Sequence, residues 1–101
     1  MTIPARYDDP EGLLEVASVV LIEHGIHPTS PQFELSELAA AVYARGWQYD
    51  IDFLSGEFQA AISTATTSRI VSPNRGVGPT PEAAMILALS QALLRETPLE
   101  P

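Results

Sequence analysis

The sequence predicts an α+β protein: an extra N-terminal helix followed by an α-β-β-β-α core, with a three-stranded antiparallel sheet and the helices packed on one of its faces. Three observations support this class. Apolar residues recur at helical spacing in three segments, the spacing changes to every second residue before the last of these segments, and proline or glycine marks most segment ends. A chain of 101 residues can build one small core, so we expect a single domain covering residues 1–101.

The composition is that of a globular protein without cysteine chemistry. Hydrophobic residues make up 46% of the chain and cysteine is absent, which excludes disulfides and thiolate metal sites. The longest largely apolar run, Val16 to Ile22, is much shorter than a bilayer span and has no basic flank. We therefore expect a soluble, cytoplasmic protein that does not enter a membrane.

The first predicted helix covers residues 9–25. Asp9 is a good capping residue, Pro10 suits the first helical position and Gly25 suits the end. The residues between them are apolar on almost every side, so this helix is either sandwiched in the core or shared with a second copy of the chain. We expect a homodimer through this helix. The β-branched run at 19–22 leaves a short strand open as an alternative.

The second helix is predicted from Pro31 to Arg45. Ser30 and Pro31 repeat the pattern of a cap followed by proline, and apolar residues then recur every three or four positions. Gly46 ends the segment directly after Arg45, a cation suited to a helix C-terminus. This helix opens the α-β-β-β-α core, to which we assign residues 31–94.

Residues 47–62 predict a β-hairpin with one buried face. Apolar and polar residues alternate on both sides of Ser55-Gly56, and a two-residue turn there places Phe53 opposite Phe58. The apolar face then carries Trp47, Tyr49, Ile51, Phe53, Phe58, Ala60 and Ile62. The opposite face carries Asp50, Asp52, Glu57 and Gln59. A third strand is predicted at Ser68–Ser72, ahead of Pro73.

A glycine loop and a capped helix form the end of the core. Thr80 is placed to cap this helix, Pro81 suits its first position, and alanines spaced four apart line it. The glycines of Gly76-Val77-Gly78 are similar to those of a phosphate cradle, but no lysine follows them and Glu82 would repel an anion. We therefore predict that they serve the turn geometry of a loop at 73–79.

Residues 31–94 resemble the double-stranded-RNA-binding domain. The glycines, the serine and the packed alanines of that family, and the aromatic residue of its second strand, have counterparts in Gly76, Gly78, Thr80, Ala84, Ala88, Ala92 and Phe58. The resemblance implies the α-β-β-β-α fold. It does not imply RNA binding, because the family's phosphate-binding lysines are replaced by Pro81, Glu82 and Ala83. The stretch from Thr80 into the last helix is also similar to small orphan phage-encoded proteins.

No group of residues predicts catalysis or a resident cofactor. His24 and His27 supply too few converging ligands for a metal ion, so we interpret them as loop histidines. Asp50 and Asp52 could serve acid–base chemistry, but nothing near them in the sequence indicates a nucleophile or a pocket. The hydroxyl-rich run at 63–68 has no fixed base and is interpreted as a connector. We expect a protein that is not an enzyme and uses no cofactor.

Charge gives the clearest indication of function. The formal net charge is −8 and the five arginines occur singly, at Arg6, Arg45, Arg69, Arg75 and Arg95. A nucleic-acid partner is therefore disfavoured. Our leading hypothesis is a non-catalytic acidic protein-interaction module, a phage-type inhibitor that occludes a host defence or nucleic-acid-handling protein with a basic surface. Its partner-binding residues would be Asp50, Asp52, Glu57 and Gln59.

Two alternatives stay open. A degenerate nucleic-acid-binding domain would use Arg69, Arg75, Gly76, Gly78 and Thr80. An oligomeric protein that sequesters nucleotides or other small molecules would hold an anion where the last helix begins at Thr80. Salt-dependent binding to double-stranded RNA or DNA would identify the first, and thermal stabilisation by nucleotides would identify the second.

Overall fold

The computed structural model describes residues 10–28, 33–64 and 74–96. In chain order the elements are α1 (Pro10–Glu23), α2 (Leu35–Ala44), β1 (Gln48–Leu54), β2 (Glu57–Ser63), β3 (Asn74–Gly78) and α3 (Pro81–Glu96). The strands form one antiparallel sheet in the order β1-β2-β3. The predicted α+β class and element order are therefore confirmed. None of the helices described is both long enough and apolar enough to cross a membrane.

The last helix, α3, lies at the centre of the fold. Every residue from Ala83 to Ser90 is buried, as are Ala92 and Leu93. One side of α3 packs on β3 and β2, another packs on α1, and α2 contacts both α3 and β1. A helix buried around its whole circumference needs neighbours on every side, and the sheet and the two other helices supply them.

The first helix packs on α3 through one face. Its residues 19–22 are helical, which excludes the alternative of a strand there. Ala17, Val20 and Leu21 are buried against the core, and the helix ends in a turn in which Gly25 has a φ of 85°. The prediction of a helix over 9–25 is thus confirmed for the described residues.

The second helix begins at Leu35, later than the predicted start at Pro31. Glu34 has an extended backbone and is the N-cap, and its N–H donates to the carboxylate of Glu37 at 3.0 Å. Phe33 lies before the cap and is buried in the core, the position from which an apolar residue fixes the direction of the entering chain. The predicted cap at Ser30 lies outside the described residues.

The β1–β2 hairpin has the predicted register. Phe53 pairs with Phe58, as Ile51 does with Ala60 and Tyr49 with Ile62. Ser55 and Gly56 both have positive φ, of 55° and 81°, which is the conformation of a type I′ turn. Strand alternation and turn chemistry therefore agree on one pairing.

The third strand of the sheet is Asn74–Gly78, a stretch that the sequence assigned to a loop. The strand predicted at Ser68–Ser72 lies outside the described residues. The error has a physical cause: the core face of β3 carries Asn74, Gly76 and Gly78, so no apolar side chains alternate there to reveal a strand.

The two glycines of β3 allow α3 to lie directly on the strand. A Cβ atom on Gly76 would overlap the carbonyl oxygen of Ala84 and lie 2.8 Å from the backbone nitrogen of Ala88. A Cβ on Gly78 would lie 2.8 Å from the Cβ of Ala83. Neither glycine has a positive φ, so the predicted role in turn geometry is wrong. Their role is close approach of helix and strand.

The start of α3 is as predicted. Pro81 is its first residue, and the hydroxyl oxygen of Thr80 accepts a hydrogen bond from the N–H of Ala83 at 3.1 Å. The first helical hydrogen bond runs from the N–H of Ala84 to the carbonyl of Thr80, also at 3.1 Å. Thr80 therefore caps the helix with both its side chain and its carbonyl.

We predict that Gly76→Ala lowers the free energy of unfolding by about 3 kcal/mol or more, because the new methyl group meets rigid helix backbone. Urea denaturation followed by circular dichroism measures this. Gly46→Ala is the control, since Gly46 has a φ of 75° with open space around it and should cost only about 1 kcal/mol from backbone conformation. Equal losses in the two variants would contradict the close-contact role of Gly76.

Candidate functional site

The outer face of the sheet, opposite the helices, brings the four predicted partner-binding residues together. Asp50 and Asp52 alternate along β1, and Asp52 pairs with Gln59 on β2. Glu57 pairs with Leu54 beside the turn, on the same face. Both aspartates are exposed and no described helix lies over them. The strand parity that buries one face fixes these side chains on the other.

The outer face is not uniformly acidic. Ala61 pairs with Asp50 on one side and with Arg75 on the other, so the Arg75 side chain shares the face with the aspartates. A shallow depression of about 310 Å³ is lined by Asp50, Asp52, Gln59, Ala60, Ala61, Arg75, Gly76 and Val77. Two carboxylates, one guanidinium and apolar side chains thus form one surface, and Glu57 adds a third carboxylate to the same face.

The residues of the alternative anion site do not converge. Gly76 and Gly78 face α3 on the core side, whereas Arg75 points to the outer face. The hydroxyl oxygen of Thr80 is already used in capping α3. Arg69 lies outside the described residues. The geometry therefore separates the arginine from the helix N-terminus that was predicted to bind an anion with it.

An aromatic strip, which we define as Tyr43, Tyr49, Phe53 and Phe58, lies on the helix side of β1 and β2. Its rings pair across elements, with centroids 5.5 Å apart for Tyr43 and Tyr49 and 4.8 Å apart for Phe53 and Phe58. None of the four is fully buried, and Tyr43 and Phe53 are each 60% exposed. The predicted face of Phe53 is right and its predicted burial is wrong, because α3 covers β2 and β3 and leaves β1 largely bare.

The two edges of the sheet are built differently. At the β3 edge, the side chain of Gln91 accepts a hydrogen bond from the N–H of Arg75 at 2.9 Å and donates to its carbonyl at 2.5 Å. At the β1 edge no further strand is present in the described part of the chain. Sequence reasoning missed Gln91, although Ser90 and Gln91 are the polar exceptions in the apolar stretch 83–94.

The exposed side of α1 carries an apolar stripe of Val16, Val19 and Ile22, which are 41%, 47% and 40% exposed. This stripe is the surplus hydrophobicity that the sequence showed. Beside it, α1 and the start of α3 border a groove of about 490 Å³. The groove is lined by Leu14, Glu15, Ser18, Ile22, Pro28, Phe33, Thr80, Glu82, Ala83 and Ile86.

The described histidine, aspartate and glutamate side chains form no cluster of three that could hold a metal ion.

The Nδ1 atom of His24 lies 2.8 Å from the carbonyl oxygen of Val20, one turn earlier in the chain. Arg45 donates to the carbonyl oxygens of Ala41 and His24, each at 3.3 Å, and so links the ends of α2 and α1. The Arg45 guanidinium also lies 5.9 Å from the ring centroid of half-buried Trp47. These groups serve the structure of the helix ends.

No protein-family model, curated protein or solved structure matches the chain. The similarity to the double-stranded-RNA-binding domain and to phage-encoded proteins therefore stays a prediction from the residues that carry it.

We predict that Tyr43→Phe lowers the pKa of Tyr49. In the wild type that pKa is raised above its ordinary value, first by the hydrogen bond with Tyr43 and then by burial. Because the pKa is raised, folding is favoured while the Tyr49 phenol is protonated, and this contribution to stability is present at neutral pH. It is lost as the pH rises through the raised pKa, so the wild type should lose more stability in alkali than the variant. NMR titration of ¹³C-labelled tyrosine rings measures each phenol separately. An unchanged Tyr49 titration would contradict the hydrogen bond.

Proposed function

We propose that this protein is a non-catalytic acidic protein-interaction module whose outer sheet face binds a basic surface on another protein. The observation that carries the proposal is the exposure of Asp50 and Asp52 on a sheet face that no described helix covers. An antiparallel sheet tolerates one solvated face, and a face with fixed, closely spaced carboxylates presents a defined pattern of charge.

Apolar groups next to the carboxylates favour binding over a purely solubilising role. Leu54, at the end of β1, is 54% exposed on this face, and Ala61 and Val77 line the depression beside the aspartates. Protein interfaces combine such apolar anchors with polar groups around them. The net charge of −8 would also speed the encounter with a basic partner.

The mode of action we propose is occlusion. A protein that handles nucleic acid holds the phosphate backbone with lysine and arginine side chains, and an acidic face can cover those cations. A chain of 101 residues is large enough to cover a standard interface on its partner. This is the action expected of a phage-type inhibitor of a host defence or nucleic-acid-handling protein.

We predict that the double variant Asp50→Lys/Asp52→Lys weakens partner binding by about a hundredfold, because attraction to the basic partner becomes repulsion at two interface positions. The partner is captured from the native host by cross-linking to the wild-type chain, purified, and titrated by calorimetry. Glu15→Lys/Glu23→Lys is the matched control, since both glutamates are exposed on α1 and the variant has the same net charge.

The proposal requires that the control variant bind as the wild type does while the sheet variant does not. Equal binding by all three proteins would refute the outer face as the interface. Equal weakening in both variants would show that net charge acts without a defined site, which also refutes it.

We also propose that the apolar stripe of α1 mediates a homodimer. Val19→Lys should raise the dimer dissociation constant by at least about tenfold, because Val19 would lose its burial on both copies. Light scattering over a concentration series measures this. Leu54→Lys is the control, as Leu54 is similarly exposed but lies on the hairpin. A wild-type protein that stays monomeric at millimolar concentration would contradict this proposal.

A further inference from the structure

We infer that the edge of β1, which no other described strand covers, accepts an extended segment of the protein partner as a fourth strand, and that this segment alternates basic with apolar residues. The inference rests on the proposed protein-binding function and adds how the partner is held. Strand addition to a sheet edge is a known mode of peptide recognition, in which backbone hydrogen bonds give affinity and alternate side chains give specificity.

The turn fixes which backbone groups of β1 are available. In a two-residue hairpin the residues that flank the turn, Leu54 and Glu57, form a hydrogen-bonded pair, and bonded pairs then alternate along the antiparallel ladder. The residues between the bonded pairs direct their N–H and C=O groups away from β2. On β1 these outward residues are Tyr49, Ile51 and Phe53.

The opposite edge supports this assignment. The alternation of bonded and non-bonded pairs continues between β2 and β3. It makes Ala61 and Arg75 a non-bonded pair, so the N–H and C=O of Arg75 point away from the sheet. Arg75 is the residue whose N–H and C=O are both bonded by Gln91. The β3 edge is thus occupied at Arg75 by a side-chain amide, whereas in the described part of the chain no strand pairs with the outward groups of β1.

Edge strands are usually protected by charged side chains, most often lysine, by proline, bulges or short length, or by a covering helix or loop. The seven residues of β1, QYDIDFL, contain neither lysine nor proline and pair with β2 without a bulge. The strand does carry Asp50 and Asp52, which project onto the outer face and leave the edge itself accessible. These two carboxylates select which segment can be added.

Charge disfavours a second copy as the occupant. The antiparallel register that pairs all seven residues of two β1 strands sets Asp50 of each copy opposite Asp52 of the other. Like charges directly opposite each other destabilise a strand pair, and opposite charges stabilise it. A partner segment with lysine or arginine at those two positions turns both repulsions into attractions.

The aromatic strip gives the added strand its apolar contacts. Residues that alternate with the basic ones fall on the helix side of the sheet, beside Tyr49, Ile51 and Phe53. Phe53 is 60% exposed there, and Tyr49 and Ile51 are half-buried. An apolar side chain placed next to Phe53 would therefore remove exposed aromatic surface from water. Both faces of the added strand meet complementary chemistry.

The test uses the full ¹⁵N-labelled chain and a synthetic eight-residue peptide that alternates lysine with valine. In the free protein, we expect the amides of Tyr49, Ile51 and Phe53 to exchange with solvent at least about a hundredfold faster than those of Asp50 and Asp52. The peptide should slow exchange at the three outward amides. A peptide that alternates glutamate with valine should bind at least about tenfold more weakly.

Two proline variants locate the binding edge. Ile51→Pro removes an outward N–H and leaves the β1–β2 ladder intact, so the fold should persist while affinity for the lysine–valine peptide falls at least about tenfold. Val77→Pro is the matched control, because Val77 lies on β3 and its N–H also points away from β2. This control should bind the peptide as the wild type does. Exchange in the wild-type protein decides the question if Ile51→Pro does not fold.

Four results would overturn the inference. The first is slow exchange of the three outward amides in the free protein at every concentration, which would show that the chain covers its own edge. The second is exchange that slows as the protein concentration rises, which would show that a second copy binds there. Peptide-induced shifts confined to Gln59 and Val77 would place binding on the flat outer face, which leaves the proposed function standing. Equal affinity for the two peptides would show that Asp50 and Asp52 do not select a basic segment. The proposed function itself fails if the captured partner binds Asp50→Lys/Asp52→Lys normally, or if the control variant is weakened equally.

Discussion

The contact between β3 and α3 fixes the positions of the other elements. Because Gly76 and Gly78 have no side chains, the backbone of α3 rests on the strand, and its alanines fill the space that larger residues would need. The helix is then buried on every side, with α1 behind it and the sheet before it. The same placement centres α3 over β2 and β3, so β1 and the aromatic strip are left partly uncovered. The binding surfaces proposed for this protein are thus a consequence of where one helix makes closest contact.

Local chemistry in the sequence predicted those features that depend on neighbouring residues. The hairpin register followed from alternation about Ser55-Gly56, and the start of α3 followed from Thr80 and Pro81. The common face of Asp50 and Asp52 followed from the same strand parity. Features that depend on distant contacts were not predicted. The strand nature of β3 is hidden because its core-facing positions are glycine and asparagine, which show no hydrophobic period.

The candidate site shows the same division. Sequence parity placed the acidic residues together but could not place Arg75 among them, because that requires the pairing of β3 with β2. It assigned Phe53 to the apolar face correctly, yet exposure depends on how far the helices extend over the sheet. The interaction of Gln91 with Arg75 joins residues 16 positions apart in sequence, and only the polar character of Gln91 within an apolar helix signalled it.

The bond between Gln91 and Arg75 has a consequence for stoichiometry. A sheet with two open edges can add chains at both, and repeated addition produces filaments of indefinite length. Here the side-chain amide of Gln91 occupies the outward N–H and C=O of Arg75 on β3, so the two edges do not offer the same set of backbone groups. If a partner strand is added at β1 as proposed, the occupied position at Arg75 opposes a second addition at β3 and therefore opposes polymerisation.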